Sequence, residues 1–174
     1  WFSKFEPPDT PEERREIMAA DLEPSDRHER YWWMIEYKEM LVGKIDIHAM
    51  NRPSRSGSIG YWLDDAFTGN GIVTASTKAI INWGFNELNF NRIDIECALQ
   101  NTASAGIPER LGLRREAILR QANIVNGDVQ DMAIYAALAD NWPPAPPAAP
   151  LAPKILEVDN EIRLRPIAAT DEDA

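Results

Sequence analysis

Residues 59–77 read IGYWLDDAFTGNGIVTAST, and the local structure that they predict decides the fold. The mostly apolar residues 58–63 are typical of a strand, whereas the more polar residues 64–71 contain two glycines. From Ile72 to about Leu88, apolar residues recur at helical spacing. The pattern therefore predicts a strand, a glycine loop and a helix in immediate succession.

The glycine loop has a chemistry of its own. Glycines at a helix start leave the backbone N–H groups of the first turn unobstructed, and these donors together with the helix dipole hold a pyrophosphate without any lysine. Taken alone, Gly69 and Gly71 fit a tight turn equally well, so both interpretations stay open. No Gly-Lys-Ser/Thr follows, which argues against a Walker loop. The third glycine and the ribose-binding acid of a dinucleotide fingerprint are also missing.

The segments on either side of the loop predict a mixed fold. Apolar and polar residues alternate before it, and Asn126-Gly127 is a dipeptide that favours a tight hairpin turn after it. Gly112 follows the last predicted helix in a C-cap position. The predicted class is α/β in the broad sense (α+β), with a largely antiparallel sheet and a helix inserted after two of its strands. The predicted strands are 31–38, 41–49, 58–63, 92–99 and two within 117–138, and the predicted helices are 8–30, 72–88 and 100–111.

Composition limits the function classes. The chain has 174 residues, 44% of them hydrophobic, and 18 Lys+Arg against 28 Asp+Glu give a net charge of −10. This charge argues against nucleic acid as a partner, and no apolar run approaches the ~18 residues of a membrane span. The single Cys97 excludes an intramolecular disulfide and a multi-Cys zinc site, and with only two histidines no metal is expected. Since no signal-like segment is recognised, a cytoplasmic setting is expected.

The end of the chain differs from the rest. Six prolines lie between residues 143 and 153, which is typical of a stiff polyproline spacer. Residues 154–166 predict one more strand. Thr170 and the acidic residues 171–173 after it are typical of the first turn of a helix. We therefore divide the chain into a body (1–141), a linker (142–153) and a terminal strand with the start of a helix (154–174). Both ends of the sequence look cut.

Residues 59–77 and 91–138 resemble the GNAT superfamily of acetyl-CoA-dependent N-acetyltransferases. The resemblance extends in consistent order from Trp1 to about Asn141, and within the superfamily it is to the branch that acetylates N-terminal amines of ribosomal proteins. Residues 154–174 are similar to the family's amino-terminal strand and the start of its first helix. The order is therefore rotated: a circular permutation is the first interpretation, a strand exchanged within a homodimer the second, and an extension outside the sheet the third.

The resemblance implies acetyl-CoA as the cofactor. Backbone N–H groups of the glycine loop would bind the pyrophosphate, the edge of the preceding strand would pair with the pantetheine arm, and a family asparagine and serine would approach the arm and its sulfur. The implied cofactor-binding residues are Trp62, Leu63, Asp64, Gly69, Asn70, Gly71, Ile72, Thr74, Asn101 and Ser104.

The reaction implied is direct attack of a neutral amine on the thioester carbonyl. The N–H of Leu63 is the expected oxyanion donor, and Ser104 is the expected partner of the leaving thiolate. Relatives have a cysteine beside the active site at the position of Cys97. Its place on the apolar face of the predicted strand also fits a thiol buried in the core. Asn123 stands where ribosomal-protein acetylating relatives carry a glutamate, and it cannot accept a proton.

Other groups must then serve as the base or line the acceptor site. Each also has a structural interpretation: Glu36 and Glu96 as solvated strand positions, His48 as a hydrogen-bonded histidine, and Asp131 as a brace of the hairpin. The candidate bases are Glu36, His48, Glu96 and Asp131, and the expected acceptor-site residues are Trp33, Glu36, His48, Tyr61 and Asn123.

The sequence thus predicts an N-acetyltransferase acting on a primary amine, with a protein or peptide N-terminus as the first choice of acceptor. A small cationic amine, such as a polyamine or an antibiotic, is the alternative substrate class. A non-catalytic acyl-CoA-binding module is the alternative of a different kind, because Asn123 replaces the expected base. Neither nucleic acid nor a membrane is an expected partner.

Overall fold

An eight-stranded sheet in the order β5-β6-β4-β3-β2-β1-β8-β7 organises the part of the chain that the computed structural model describes, residues 30–125, 127–142, 156–158 and 161–166. Neighbouring strands are antiparallel except β3 and β4, which are parallel. The predicted mixed, mostly antiparallel sheet is therefore confirmed. The strands are β1 (Tyr31–Tyr37), β2 (Met40–Asn51), β3 (Ser56–Leu63), β4 (Arg92–Ala98), β5 (Arg114–Val125), β6 (Asp128–Leu138), β7 (Leu156–Glu157) and β8 (Ile162–Pro166), and the helices are α1 (Ile72–Glu87) and α2 (Thr102–Arg110).

Helix α1 packs on one face of this sheet and builds the core there. Ile72, Ile80 and Ile81 of the helix are buried with the alternate apolar residues of the central strands. Gly84 allows the close approach, because a Cβ at that position would lie 2.6 Å from Cδ1 of Ile93. Burying one such side chain contributes roughly 1.5–3 kcal/mol, so this packing fixes where the first turn of α1 lies relative to β3.

The two faces of the sheet differ in chemistry. On β2, Ile45 and Ile47 point into the core, so the intervening Lys44, Asp46 and His48 point to the opposite face. Gly60 of β3 is the cross-strand partner of Asp46. A row of polar side chains therefore crosses the middle of the sheet on the face away from α1.

Strands β7 and β8 lie at the sheet edge beside β1. Strand β8 pairs antiparallel with β1, from Trp33 opposite Pro166 to Tyr37 opposite Ile162, and Ile162 and Leu164 are buried in the core. The single strand predicted over 154–166 is instead two short strands, because β7 pairs back onto β8 as an antiparallel neighbour.

Most predicted elements agree with the structure to within a few residues. The clearest difference is β5, which begins at Arg114 rather than within 117–138, because its first residues are charged and exposed and show no apolar alternation. Gly112 and Gly127 have positive φ angles of 74° and 86°, as their predicted turn positions require. The predicted first helix, most of the proline spacer, the helix start at Thr170 and Asn126 lie outside the described residues. In the described part of the chain, neither helix has the length and apolar character to cross a membrane.

Candidate functional site

Strands β3 and β4 separate in the middle of the sheet. They pair only from Ser56 opposite Arg92 to Ile59 opposite Ile95. Beyond that point β3 continues to Leu63 and β4 to Ala98 without pairing to each other. The result is a gap between two strands that are held on their outer sides by β2 and β6.

Backbone groups of β3 face this gap. The N–H of Asp64 donates to the carbonyl of Val42 on β2 at 2.8 Å. Because backbone groups alternate in direction along a strand, the N–H and C=O of Leu63 and Tyr61 point away from β2, toward β4. The expected oxyanion donor, Leu63, thus presents its N–H to the gap, and Tyr61 presents a second one that the sequence reasoning did not identify.

The glycine loop lies directly after β3 and is shaped by local hydrogen bonds. The carboxylate of Asp64 accepts from the N–H of Ala66 at 3.0 Å and caps a short 3₁₀ turn, Asp65–Phe67. The side-chain amide of Asn70 donates to the carbonyls of Phe67 and Thr68 at 3.1 and 3.2 Å. These contacts bend the chain from the strand into α1.

Gly69 and Gly71 allow that bend. Their φ angles are +78° and +76°, in the left-handed region, and no atom lies within 4 Å of a Cβ added to either. Gly71 is the N-cap of α1, it provides no side-chain cap, and the first turn holds no acidic residue. The N–H groups at the start of α1 are thus open to an anion, which fits the pyrophosphate of the cofactor that the sequence predicts.

Arg110 brings a positive charge to the same helix start. Its Nε and Nη2 donate to Oγ1 of Thr74, in the first turn of α1, at 3.3 and 3.2 Å. Gly106 makes this reach possible, since a Cβ there would lie 2.8 Å from Nη1 of Arg110. The sequence reasoning missed Arg110; the only available signal was its position four residues after a glycine on a predicted helix.

Three side chains meet on the core side of the gap. The hydroxyl of Tyr61 lies 2.9 Å from Oγ of Ser104, and Cys97 hydrogen-bonds to the same serine. Asn101 holds this arrangement, because its side chain caps α2 by accepting from the N–H of Ser104 at 3.0 Å. Residues from β3, β4 and α2 therefore converge where the two strands diverge.

Burial keeps this cluster protonated. Desolvation raises the pKa of Tyr61 to about 12, although the hydrogen bond from Ser104 works in the opposite direction. Desolvation also raises the pKa of the Cys97 thiol. A thiol that resists ionisation is a poor nucleophile. The arrangement therefore favours a structural role for Cys97 and keeps Tyr61 as a neutral hydroxyl that hydrogen-bonds with Ser104.

On the opposite face, Asp46 and His48 form a close pair. Nδ1 of His48 and Oδ1 of Asp46 are 2.5 Å apart, and the carboxylate is the buried partner. A Cβ at Gly60 would lie 3.2 Å from Oδ2 of Asp46 and 3.3 Å from Cε1 of His48. Lys44 lies on the same face, with its Nζ 4.2 Å from the ring centroid of Trp32. Burial lowers the pKa of Lys44 to about 8, and the negative charge of Asp46 opposes part of this shift.

The remaining predicted residues are less favourably placed. Trp33 is fully buried in the core and packs edge-on against Trp83, so its side chain has no surface to offer an acceptor. Glu36 lies 3.6 Å from Arg163 in an ion pair, while Asp131 accepts from the N–H of Gln121 at 2.9 Å. The side chain of Asn123 accepts from the N–H of Ile124 at 2.8 Å.

Glu96 is exposed, and within the described residues no hydrogen bond fixes its carboxylate. Across those same residues, no three His, Cys, Asp or Glu side chains lie close enough together to hold a metal ion.

Comparison with known proteins connects this geometry to a family. The profile of the acetyltransferase (GNAT) domain matches residues 1–114. YdaF of Bacillus subtilis is 37% identical over 106 residues, which are 61% of this chain, and the chain spans 58% of the length of YdaF. The ribosomal-protein-serine acetyltransferase of Escherichia coli is 27% identical over 130 residues, which are 75% of this chain and 73% of that protein.

Solved structures show the same fold with the cofactor present. The RimL ribosomal L7/L12 α-N-protein acetyltransferase in complex with coenzyme A has a TM-score of 0.65 and 28% identity, with 74% of this chain and 72% of that chain covered. RimJ of Mycobacterium smegmatis in complex with CoA-disulfide has a TM-score of 0.67 and 28% identity, with 74% and 62% covered. Both of these structures hold a form of coenzyme A.

Proposed function

The chain belongs to the GNAT acetyltransferase family, and we propose that it transfers the acetyl group of acetyl-CoA to a primary amine at a protein or peptide N-terminus. The observation that carries the proposal is the gap between β3 and β4, which opens beside a glycine loop and a helix start free of acidic side chains. The names of RimL, a ribosomal L7/L12 α-N-protein acetyltransferase, and of the Escherichia coli ribosomal-protein-serine acetyltransferase support the acceptor class.

Cofactor binding in this proposal uses main-chain donors and one side chain. The N–H groups of Gly69, Asn70, Gly71 and Ile72 bind the pyrophosphate, and the guanidinium of Arg110 adds a cation beside them. The pantetheine arm lies along Trp62, Leu63 and Asp64 and pairs with the backbone groups that face the gap. An acidic protein can thus hold a polyanion, because the charge of its surface is overcome locally by oriented donors.

The chemistry follows from the same positions. The neutral amine attacks the thioester carbonyl carbon, the new C–N bond forms, and the C–S bond breaks. The N–H of Leu63 stabilises the negative charge that develops on the carbonyl oxygen. The attacking amine loses its surplus proton to a base or to water. The leaving thiolate takes a proton from the hydroxyl of Ser104, which regains one from the hydroxyl of Tyr61 at 2.9 Å, and Tyr61 is reprotonated from solvent.

Thiol release from acetyl-CoA tests the proposal. The assay compares peptides with free N-termini, the same peptides with acetylated N-termini, and spermidine, while calorimetry measures CoA binding separately. Turnover that requires the free N-terminus supports the proposal, and turnover with spermidine alone would move the acceptor to the small cationic amines. Binding without turnover on any amine would leave a cofactor-binding module, and no binding would refute both.

The proposal also assigns the end of the chain. Strand β8 would take the place of the family's first strand, carried behind the body by a permuted chain order. Its antiparallel pairing with β1 and its buried Ile162 and Leu164 support this assignment. A monomer in sedimentation analysis across a wide concentration range is the expected result, whereas a dimer that separates only on unfolding would favour strand exchange between two copies.

A further inference from the structure

We infer that His48 is the group that accepts the proton from the attacking amine and that Asp46 is its positioning residue. This inference rests on the proposed acetyl transfer and names the base that the reaction needs. It starts from an unmet requirement, because Asn123, where relatives carry a glutamate, has no basic atom to take the proton.

The contact with Asp46 fixes the tautomer of His48. An ionised carboxylate can only accept hydrogen bonds, so the contact between Oδ1 of Asp46 and Nδ1 of His48 places the imidazole proton on Nδ1. In the neutral ring the lone pair then lies on Nε2. The pair therefore fixes which nitrogen can act as a base.

Asp46 and His48 differ in exposure. The side chain of Asp46 is 8% exposed and that of His48 is 31% exposed. The carboxylate is thus held inside the protein, while the ring extends toward the surface. A buried carboxylate behind an imidazole orients the ring and stabilises the imidazolium that forms when Nε2 takes a proton.

His48 lies beside the point on β3 where the pairing with β4 ends. Gly60 is the first residue after the last β3–β4 pair at Ile59, so it marks the point where the gap opens. The imidazole lies over Gly60, with Cε1 3.3 Å from the site of an added Cβ. Any side chain at residue 60 would compete with the ring for this space. The histidine therefore lies at the narrow end of the gap, on the face opposite the Tyr61–Ser104 hydroxyls.

The other candidate carboxylates are worse placed for this role. Glu36 has Arg163 as an ion-pair partner, and Asp131 accepts a backbone N–H. Glu96 is exposed without a hydrogen bond that orients it in the described part of the chain. Glu96 shares the gap edge with the histidine, so it is the rival that an experiment must separate from His48.

In the step that we infer, the amine nitrogen bonds to the carbonyl carbon as its proton passes to Nε2 of His48, directly or through one water. The C–S bond then breaks, and the thiolate is protonated from the Ser104 side. The imidazolium returns its proton to solvent. No oxidant, metal or further reactant is required.

The test is steady-state kinetics on His48→Gln, Asp46→Asn and Glu96→Gln, with His48→Ala assayed in the presence and absence of imidazole. General-base catalysis contributes roughly 10²–10⁴-fold, so we expect His48→Gln to lower kcat by at least about 100-fold with little change in KM for acetyl-CoA. Asp46→Asn should lower kcat as well, and imidazole should partly restore His48→Ala. Rescue is the readout that a purely structural histidine would not give.

Two outcomes would overturn the inference. One is a His48→Gln enzyme with near-normal kcat, and the other is a loss that follows Glu96→Gln while His48→Gln remains active. If Asp46→Asn unfolds, His48→Gln and the imidazole rescue still decide, because His48 is part-exposed and can be replaced without opening the core. If the wild-type enzyme acetylates no amine at all, the proposed function fails, and the assignment of the base falls with it.

Discussion

Replacing Gly71 with aspartate should strongly weaken cofactor binding, and replacing it with asparagine should not. Gly71 caps α1 at a φ of +76°, and nothing lies within 4 Å of an added Cβ, so either side chain would project into open space at the helix start. Asn and Asp both tolerate the left-handed conformation better than other residues. The two variants should therefore fold equally well and differ only in charge.

The size of the effect follows from electrostatics. Two like charges about 4 Å apart repel by about 1 kcal/mol in water and by about 4 kcal/mol at the effective dielectric constant of a protein surface. A pyrophosphate carries more than one charge, so we expect a loss of about 2–4 kcal/mol, or a roughly 30- to 1,000-fold weaker Kd for Gly71→Asp. Gly71→Asn should stay within about 5-fold of wild type, which corresponds to the modest strain of the substitution.

Titration calorimetry with CoA measures both constants, and thermal denaturation checks that the two variants are equally stable. Raising the ionic strength shortens the screening length from about 10 Å at 0.1 M to about 3 Å at 1 M, so the difference between Asp and Asn should shrink with salt. Equal affinities for Gly71→Asp, Gly71→Asn and wild type would refute the phosphate site at this loop.

Three further variants test other parts of the site and the fold. Arg110→Met should weaken CoA binding by roughly 10- to 100-fold through the loss of a charged donor, whereas the control Arg120→Met should leave the affinity unchanged. Comparing the affinities for CoA and dephospho-CoA will show which phosphate Arg110 contacts. Tyr61→Phe should lower kcat with little change in CoA affinity, and this loss should be the same from pH 6 to 9, because burial raises the pKa of Tyr61 to about 12. The control is Tyr37→Phe at the end of β1, which should change neither kcat nor CoA affinity. Leu164→Ala should reduce the free energy of unfolding by about 2–5 kcal/mol in denaturant titrations, because the side chain is fully buried, while Arg163→Ala should cost under about 1 kcal/mol.

The parts of the site that lie close together in sequence were predictable, and the parts assembled by tertiary contacts were not. The loop from Asp64 to Ile72 was readable because glycine spacing and the change of period are local signals. The reach of Arg110 to Thr74 depends on how α2 packs beside α1, which no local pattern records. Asp46 and His48 were visible as alternate residues of one strand, but their position over Gly60 depends on the register of β2 with β3.

The interrupted pairing of β3 and β4 also explains why the proposed proton donors and proton acceptor lie on opposite faces. In a continuous sheet, the hydroxyls of Tyr61 and Ser104 on the core side could not act on the same thioester as His48 on the far side, because paired backbones would separate them. The gap beyond Ile59 removes that barrier, so an acyl group lying between the strands is open to both faces. The leaving sulfur can then be protonated from one side while the amine loses its proton on the other. This separation keeps the incoming amine away from the Ser104 hydroxyl. It also lets the two sides act independently on the same transition state, so we expect the effects of Tyr61→Phe and His48→Gln on kcat to combine multiplicatively in the double variant.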